Sequence, residues 1–281
     1  MELLLEPLQY RFFQHSLWVA LLTGSLCGLL GVYIVLRQMS YIGHGLAHAV
    51  FGGAIASSLL NFNFYIGAGI WGMLAVILID KLAAKREINA DAAIGIITTA
   101  SFAVGVALMS RMRRFMQDFE ATLFGNVLGV SASDLIVISM VSLVAGAVLI
   151  GLYKPLLFST FDEQVAQVSG VPTRLIRLVF AAILALSILA SMQVLGVTLV
   201  AAAVVIPAST ARMLTNNFAR MLGLSTALGG ATAVLGMYLS YYLDIASGAS
   251  IVLLAALVFV AVLGYRQIAG IRQLRRQSRS F

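Results

Sequence analysis

Two histidines four residues apart, His44 and His48, lie in the run Ser40 to Ala54, SYIGHGLAHAVFGGA, and they are two of only three histidines in the 281-residue chain. Residues four apart share one face of an α-helix, with Cβ atoms about 5–6 Å apart, so both imidazoles can reach one divalent metal ion. Neutral imidazole ligates zinc, iron, copper and nickel. Gly43, Gly45, Ala47, Ala49, Gly52 and Gly53 keep the surrounding backbone bare, which admits a neighbouring helix or a partly hydrated ion. The competing reading is that the pair hydrogen-bonds backbone or hydroxyl groups of adjacent helices. Ionisable groups inside apolar segments are costly and by default functional, which favours the metal.

The elements that must position this pair are membrane helices. The chain is 61% hydrophobic and only 10% charged, with a mean hydropathy of +1.00, against about 45–50% and 25% for soluble domains. An all-α polytopic membrane protein in the cell membrane is expected. The single cysteine, Cys27, sits in an apolar segment and reads as a packing residue, so neither a disulfide framework nor a thiolate metal motif is available. The net charge of +7 does not point to nucleic acid, because Arg266, Arg272, Arg275, Arg276 and Arg279 crowd into the segment 266–281 after an apolar run. A basic tail beside a span marks a cytoplasmic end and a lipid-facing surface. Met1 to Ser16 carries Glu2, Glu6, Pro7, Arg11 and His15 and reads as an interfacial lead-in rather than a cleavable signal peptide.

Apolar runs approaching the roughly 20 residues needed to cross fall at 17–36, 41–60, 62–80, 90–110, 134–152, 175–193, 195–213, 219–242 and 249–265. These predict nine spans in one transmembrane domain, 17–265, with an eight-span count, one weak segment being demoted, as the main alternative. Phe119 to Val130 is too short to cross and is expected to be re-entrant or interfacial. Lys81, Lys85, Arg86, Lys154, Arg174, Arg177, Arg212 and Arg220 place their loops in the cytoplasm, with the N-terminus outside and the tail inside. Arg111, Arg113 and Arg114 fall on the opposite side of that alternation.

The only long polar loop, 154–177, reads KPLLFSTFDEQVAQVSGVPTRLIR. Thr160 and Glu163 have capping-box spacing, Asp162 and Glu163 suit a helix start, and Gly170 with Pro172 supplies a stop. A surface helix of about two turns is expected there. It is either a plain connector or a docking element exposing Phe158, Phe161, Val165 and Val168.

Some chemistry is missing. No G-x-x-x-x-G-K-[ST] phosphate loop is present, so ATP hydrolysis by that route belongs to a partner, and no H-E-x-x-H occurs. Asp80, Asp91, Asp118, Glu120, Asp134 and Asp244 lie near span ends, where solvated carboxylates are ordinary. Asp91 and Glu120 have the better claim to a pore.

Several ordered segments carry a family resemblance over nearly the whole chain. GHGLAHAVFGGA resembles the G-D-A-[IL]-S-H-A-V-x-x-G-x-A segment of permease subunits of the zinc/manganese/iron family of ABC-type uptake systems. AAIGI at 92–96, LFGNVLGV at 123–130, the FSTFDEQVAQVSGVP loop, VIPASTAR at 205–212 and LSYYLDIASGASIVL at 239–253 complete the match. The resemblance implies a fold similar to cobalamin and siderophore importer permeases, a homodimeric or heterodimeric assembly, and no permanent cofactor. It also implies an extracytoplasmic binding protein, and ATPase subunits seated on the loop at Thr160, Phe161, Asp162, Glu163, Val165 and Gly170. Its metal ligands map to His44 and His48. His48 matches the family histidine, while His44 stands where the family has Asp, and imidazole suits Zn²⁺ or Fe²⁺ better than Mn²⁺. That puts zinc slightly ahead as the transported ion. An ion-gradient-driven metal transporter or a non-transporting membrane scaffold are the other classes, and the first would need ionisable residues deep in several spans.

Overall fold

The computed structural model describes residues 6–60, 62–83, 89–110, 125 and 130–277. Among them there is no strand. A short 3-10 turn, Pro7–Gln9, leads into α1 (Arg11–Leu36), α2 (Ser40–Leu59), α3 (Phe64–Ala83), α4 (Ala90–Ser110), α5 (Ala132–Gly151), α6 (Tyr153–Phe161), α7 (Glu163–Val168), α8 (Thr173–Leu195), α9 (Val200–Leu214), α10 (Phe218–Leu243) and α11 (Ser247–Gln277).

Helices dominate because a membrane leaves no water for stray backbone groups, and the sequence supplies side-chain acceptors where the first turns begin. Asn63 Oδ1 accepts from Tyr65 N and Ile66 N. Asn89 Oδ1 accepts from Ala92 N at 2.7 Å. Ser131 and Asp134 form a reciprocal capping box on α5, and Asn217 caps α10 through Arg220 N. These satisfy amides that a helix start otherwise orphans. Within the helices, Ser101, Ser191 and Thr210 donate to the carbonyl four residues back, which satisfies those hydroxyls inside the apolar layer.

Among the described residues seven helices are long and apolar enough to cross: α1, α3, α4, α5, α8, α10 and α11. The run 41–60 forms α2, which is 20 residues long but whose two histidines leave it outside that apolar set. The run 195–213 yields only the 15-residue α9, because Gly196 (φ +81°) ends α8 and a turn intervenes. The segment 1–16 is partly absorbed into α1, which begins at Arg11, and α11 runs on through Gln277 into the basic tail. Of the expected re-entrant segment, only Gly125 and Val130 are among the described residues.

Alternation of the helices is visible in two end-to-end contacts. Tyr65, at the start of α3, donates to Asp134 Oδ1, at the start of α5, over 2.5 Å. At the other end of the bundle, Arg37 beyond α1 meets the last turn of α6, and Arg177 near the start of α8 joins Asp80 near the end of α3 to Glu163 of α7.

Two seams bring backbones together. Along α1 and α10, a Cβ at Gly24 would run into Gly229 O and one at Gly28 into Ser225 O, while Ser225 Oγ donates to Gly28 O at 2.5 Å. Between α2 and α4, a Cβ at Gly52 would strike the Ser101 carbonyl, and one at Gly105 would lie 2.8 Å from Gly52 Cα. Only glycine permits such approach, and the second seam fixes α4 directly beside the histidine helix.

Candidate metal site

The i, i+4 spacing places both imidazoles on the α2 face that meets α4. His44 Nε2 and His48 Nε2 are 3.0 Å apart, with ring centroids 4.4 Å apart and planes at 88°. His44 is exposed, and His48 is half-buried. The His48 ring stacks edge-on to Phe102 of α4, centroid to centroid 4.5 Å. A cavity of about 480 Å³ opens in front of the pair, lined by His44, Gly45, His48, Ile94, Gly95, Thr98, Thr99 and Phe102. Gly45 is required here because a Cβ would come within 2.8 Å of the Ile94 and Thr98 methyls.

The separation is what one shared ion needs after a small ring rotation. Two nitrogens each about 2.0–2.1 Å from a tetrahedral ion stand about 3.3–3.4 Å apart. Without the ion, the 3.0 Å contact is a hydrogen bond, so one Nε2 carries the proton and the other accepts. His48 Nδ1 is buried without a hydrogen-bond partner. Only the tautomer in which His48 donates through Nε2 avoids burying an orphaned N–H at Nδ1. A ligating histidine usually donates its second N–H to an acceptor, and losing that support weakens binding about 10–100-fold.

The remaining lining supplies few donors of its own. Thr98 Oγ1 is spent on Ile94 O at 2.7 Å, and among the described residues no group of three or more His, Cys, Asp or Glu comes together. Asp91 stands in the first turn of α4, three and seven residues before Ile94 and Thr98. Glu120 lies outside the described residues. Ile94, Thr98 and Phe102 escape sequence reading because nothing in their local pattern separates a cavity wall from an ordinary span.

The loop residues are arranged differently from the expected single helix. Thr160 does not cap. It closes the last turn of α6, donates to Leu156 O at 2.6 Å and accepts from Arg37 Nε at 3.0 Å. The chain extends at Asp162 (φ −151°, ψ 99°), whose Oδ1 takes the Val165 amide and starts the six-residue α7. Asp wins because a cap must itself lie outside the helix, and Thr160 is held inside one. Glu163 turns away to Arg177. Gly170, at φ +83°, ends the turn. Phe161, Val165 and Val168 are exposed. Asp80 is not a solvated carboxylate: its side chain is 13% exposed and pairs with Arg177 at 3.0 Å.

Comparison with known proteins supplies the context for this geometry. Residues 9–266 match the family model described as ABC 3 transport family. The chain is 39% identical over 251 residues to a manganese transport system membrane protein, MntC, of Halalkalibacterium halodurans, covering 89% of this chain and 86% of that protein. It is 34% identical to the chelated iron transport system membrane protein YfeC of Yersinia pestis, covering 92% and 87%. The structure of PsaBC from Streptococcus pneumoniae in complex with Fab superposes with a TM-score of 0.85 at 32% identity, covering 93% of this chain and 94% of that one.

Proposed function

Since the chain belongs to the ABC 3 transport family, we propose that it is the multi-pass permease subunit of an ATP-driven importer of divalent transition metal ions, with His44 and His48 as ligands on the ion's path. The observation that carries this reading is the 3.0 Å approach of the two Nε2 atoms at the mouth of a 480 Å³ cavity. Two imidazoles fill half of the four positions zinc prefers, so water or a second protomer facing the open cavity completes the shell. An extracytoplasmic binding protein delivers the ion. A separate ATPase seats on α6 and α7, in keeping with the missing phosphate loop. The relatives named above are described for manganese and chelated iron. The nitrogen-rich pair shifts this chain toward the imidazole-preferring ions Fe²⁺ and Zn²⁺.

The test is metal uptake by proteoliposomes containing permease and ATPase, normalised to folded permease. His48→Ala is expected to abolish uptake of manganese, iron and zinc alike. Wild-type normalised uptake in that variant would overturn the ligand assignment.

A further inference from the structure

The α6–α7 loop is held to the bundle by two arginine clamps of different character. Arg37 donates from Nε to Thr160 Oγ1 and from Nη2 to Ser159 Oγ, each at 3.0 Å, and its guanidinium stacks 4.8 Å from the Phe180 ring centre. Three contacts to two elements pin the last turn of α6 against α1 and α8. Arg177 instead spans two carboxylates. Nε and Nη2 reach Asp80 Oδ1 on α3 at 3.1 and 3.0 Å, and Nη1 reaches Glu163 Oε1, the first residue of α7, at 3.0 Å. The helix break at Asp162 lies between the two clamps.

The two carboxylates held by Arg177 are not equivalent. Asp80 is 13% exposed, whereas Glu163 is 52% exposed. Releasing the sheltered Asp80 would leave a charge poorly solvated. Arg174, 3.7 Å from Asp80 Oδ2, shares in holding it. The Glu163 contact exchanges readily with water, as exposed ion pairs do. Beside this triad lies a cavity of about 380 Å³, with Asp80, Glu163 and Arg177 on one side and Ile42, Leu46 and Val76 among its apolar walls. Ile42 and Leu46 project from the α2 face opposite the histidines, so α2 has the histidine cavity in front and this second cavity behind.

We propose that the loop pivots at Asp162: Arg37 keeps α6 fixed, and Arg177 is a positioning residue whose release of Glu163 frees α7 and lets α2 shift into the cavity behind it. This rests on the reading of the loop as the ATPase seat. It turns movement of a docked ATPase into movement of the histidine pair through a contact that breaks and re-forms, while the Arg177–Asp80 contact persists.

The experiment uses the complete permease–ATPase complex in proteoliposomes. In a Cys27→Ser background, spin labels at Val168→Cys and Lys81→Cys report α7 against α3, and labels at Lys154→Cys and Gln38→Cys report α6 against α1. Trapping the ATP-bound state is expected to change the first distance and leave the second unchanged. Glu163→Gln and Arg177→Gln are each expected to lower metal uptake per ATP hydrolysed at least about fivefold, the lower end of ordinary coupling between sites. The double variant should be no worse than Arg177→Gln alone, since that change already removes the Glu163 contact along with the one to Asp80. Arg177→Lys should recover part of the loss. An unchanged Val168–Lys81 distance, or wild-type uptake per ATP in Glu163→Gln, overturns the pivot while leaving the transport reading intact. A wild-type chain that fails to associate with the ATPase overturns the loop reading and the pivot with it.

Discussion

His48 Nε2 lies 3.0 Å from His44 Nε2, and the tautomer that spares an orphaned Nδ1–H on His48 makes His48 the donor. On the proposed ligand assignment, an incoming cation replaces that hydrogen bond with two coordinate bonds. The contact pairs one nitrogen of each ring, which lowers the cost of placing two imidazoles inside an apolar bundle.

The first prediction concerns which ion is taken. His44→Asp replaces a borderline nitrogen by a hard anionic oxygen and should retain uptake while shifting preference from iron and zinc toward manganese. The measurement is competitive uptake of the three ions in proteoliposomes. An unchanged preference order would show that the first position does not discriminate.

The second concerns the α2–α4 seam. Gly52→Val drives a side chain into the Ser101 carbonyl and should cost about 1–3 kcal/mol, as overpacking does, with loss of the cavity's shape. Gly43→Ala meets nothing within 4 Å and should raise stability by about 0.5–1 kcal/mol, because alanine restricts the unfolded chain and suits a helix. Thermal unfolding in detergent distinguishes the two signs. Equal effects would mean that the seam is not as tight as the contacts indicate.

A third prediction addresses docking. Phe161 also packs on Phe218, with ring centroids 6.1 Å apart, so the cleaner probes are Val165 and Val168, 48% and 90% exposed. Val165→Asp with Val168→Asp should leave stability within about 0.5 kcal/mol per site yet weaken ATPase association at least about tenfold, the equivalent of about 1.4 kcal/mol. Co-purification and a titration of ATPase onto permease check it. Wild-type affinity would place the seat elsewhere.

The fourth concerns sidedness. The Tyr65–Asp134 contact gathers the starts of α3 and α5 at one end, and Arg37, Asp80 and Arg177 gather at the other. Single cysteines at Phe62 and Lys154, in the Cys27→Ser background, should therefore label from opposite sides, with Lys154 reached only from the cytoplasm. Same-side labelling would require one helix between them to turn back.

Local spacing was enough to place the histidine pair on one face, because helical periodicity is fixed by the backbone and survives any tertiary arrangement. The same holds for the long apolar helices, whose length and composition are local properties. Tertiary partners are what local pattern could not supply. Thr160 had the spacing of a cap but is bound by Arg37, a residue 123 positions away, and Asp162 took over. Asp80 had the profile of a solvated span end until α8 brought Arg177 to it. The short α9 follows from Gly196, whose positive φ ends α8 before the apolar run does. Ile94, Thr98 and Phe102 became part of the site only when glycine at positions 45 and 52 let α4 close on α2.

The seam between α1 and α10 has a mechanical consequence. Side chains let two helices ratchet past each other by hopping between rotamers, whereas Gly24 and Gly28 meet Gly229 and Ser225 with almost nothing between the main chains, and Ser225 Oγ locks the register through Gly28 O. Such a joint has no intermediate settings. It either holds or comes apart, so α1 and α10 travel as one girder, and any rocking that exposes the ion to one side of the membrane must be borne by the helices mounted on it.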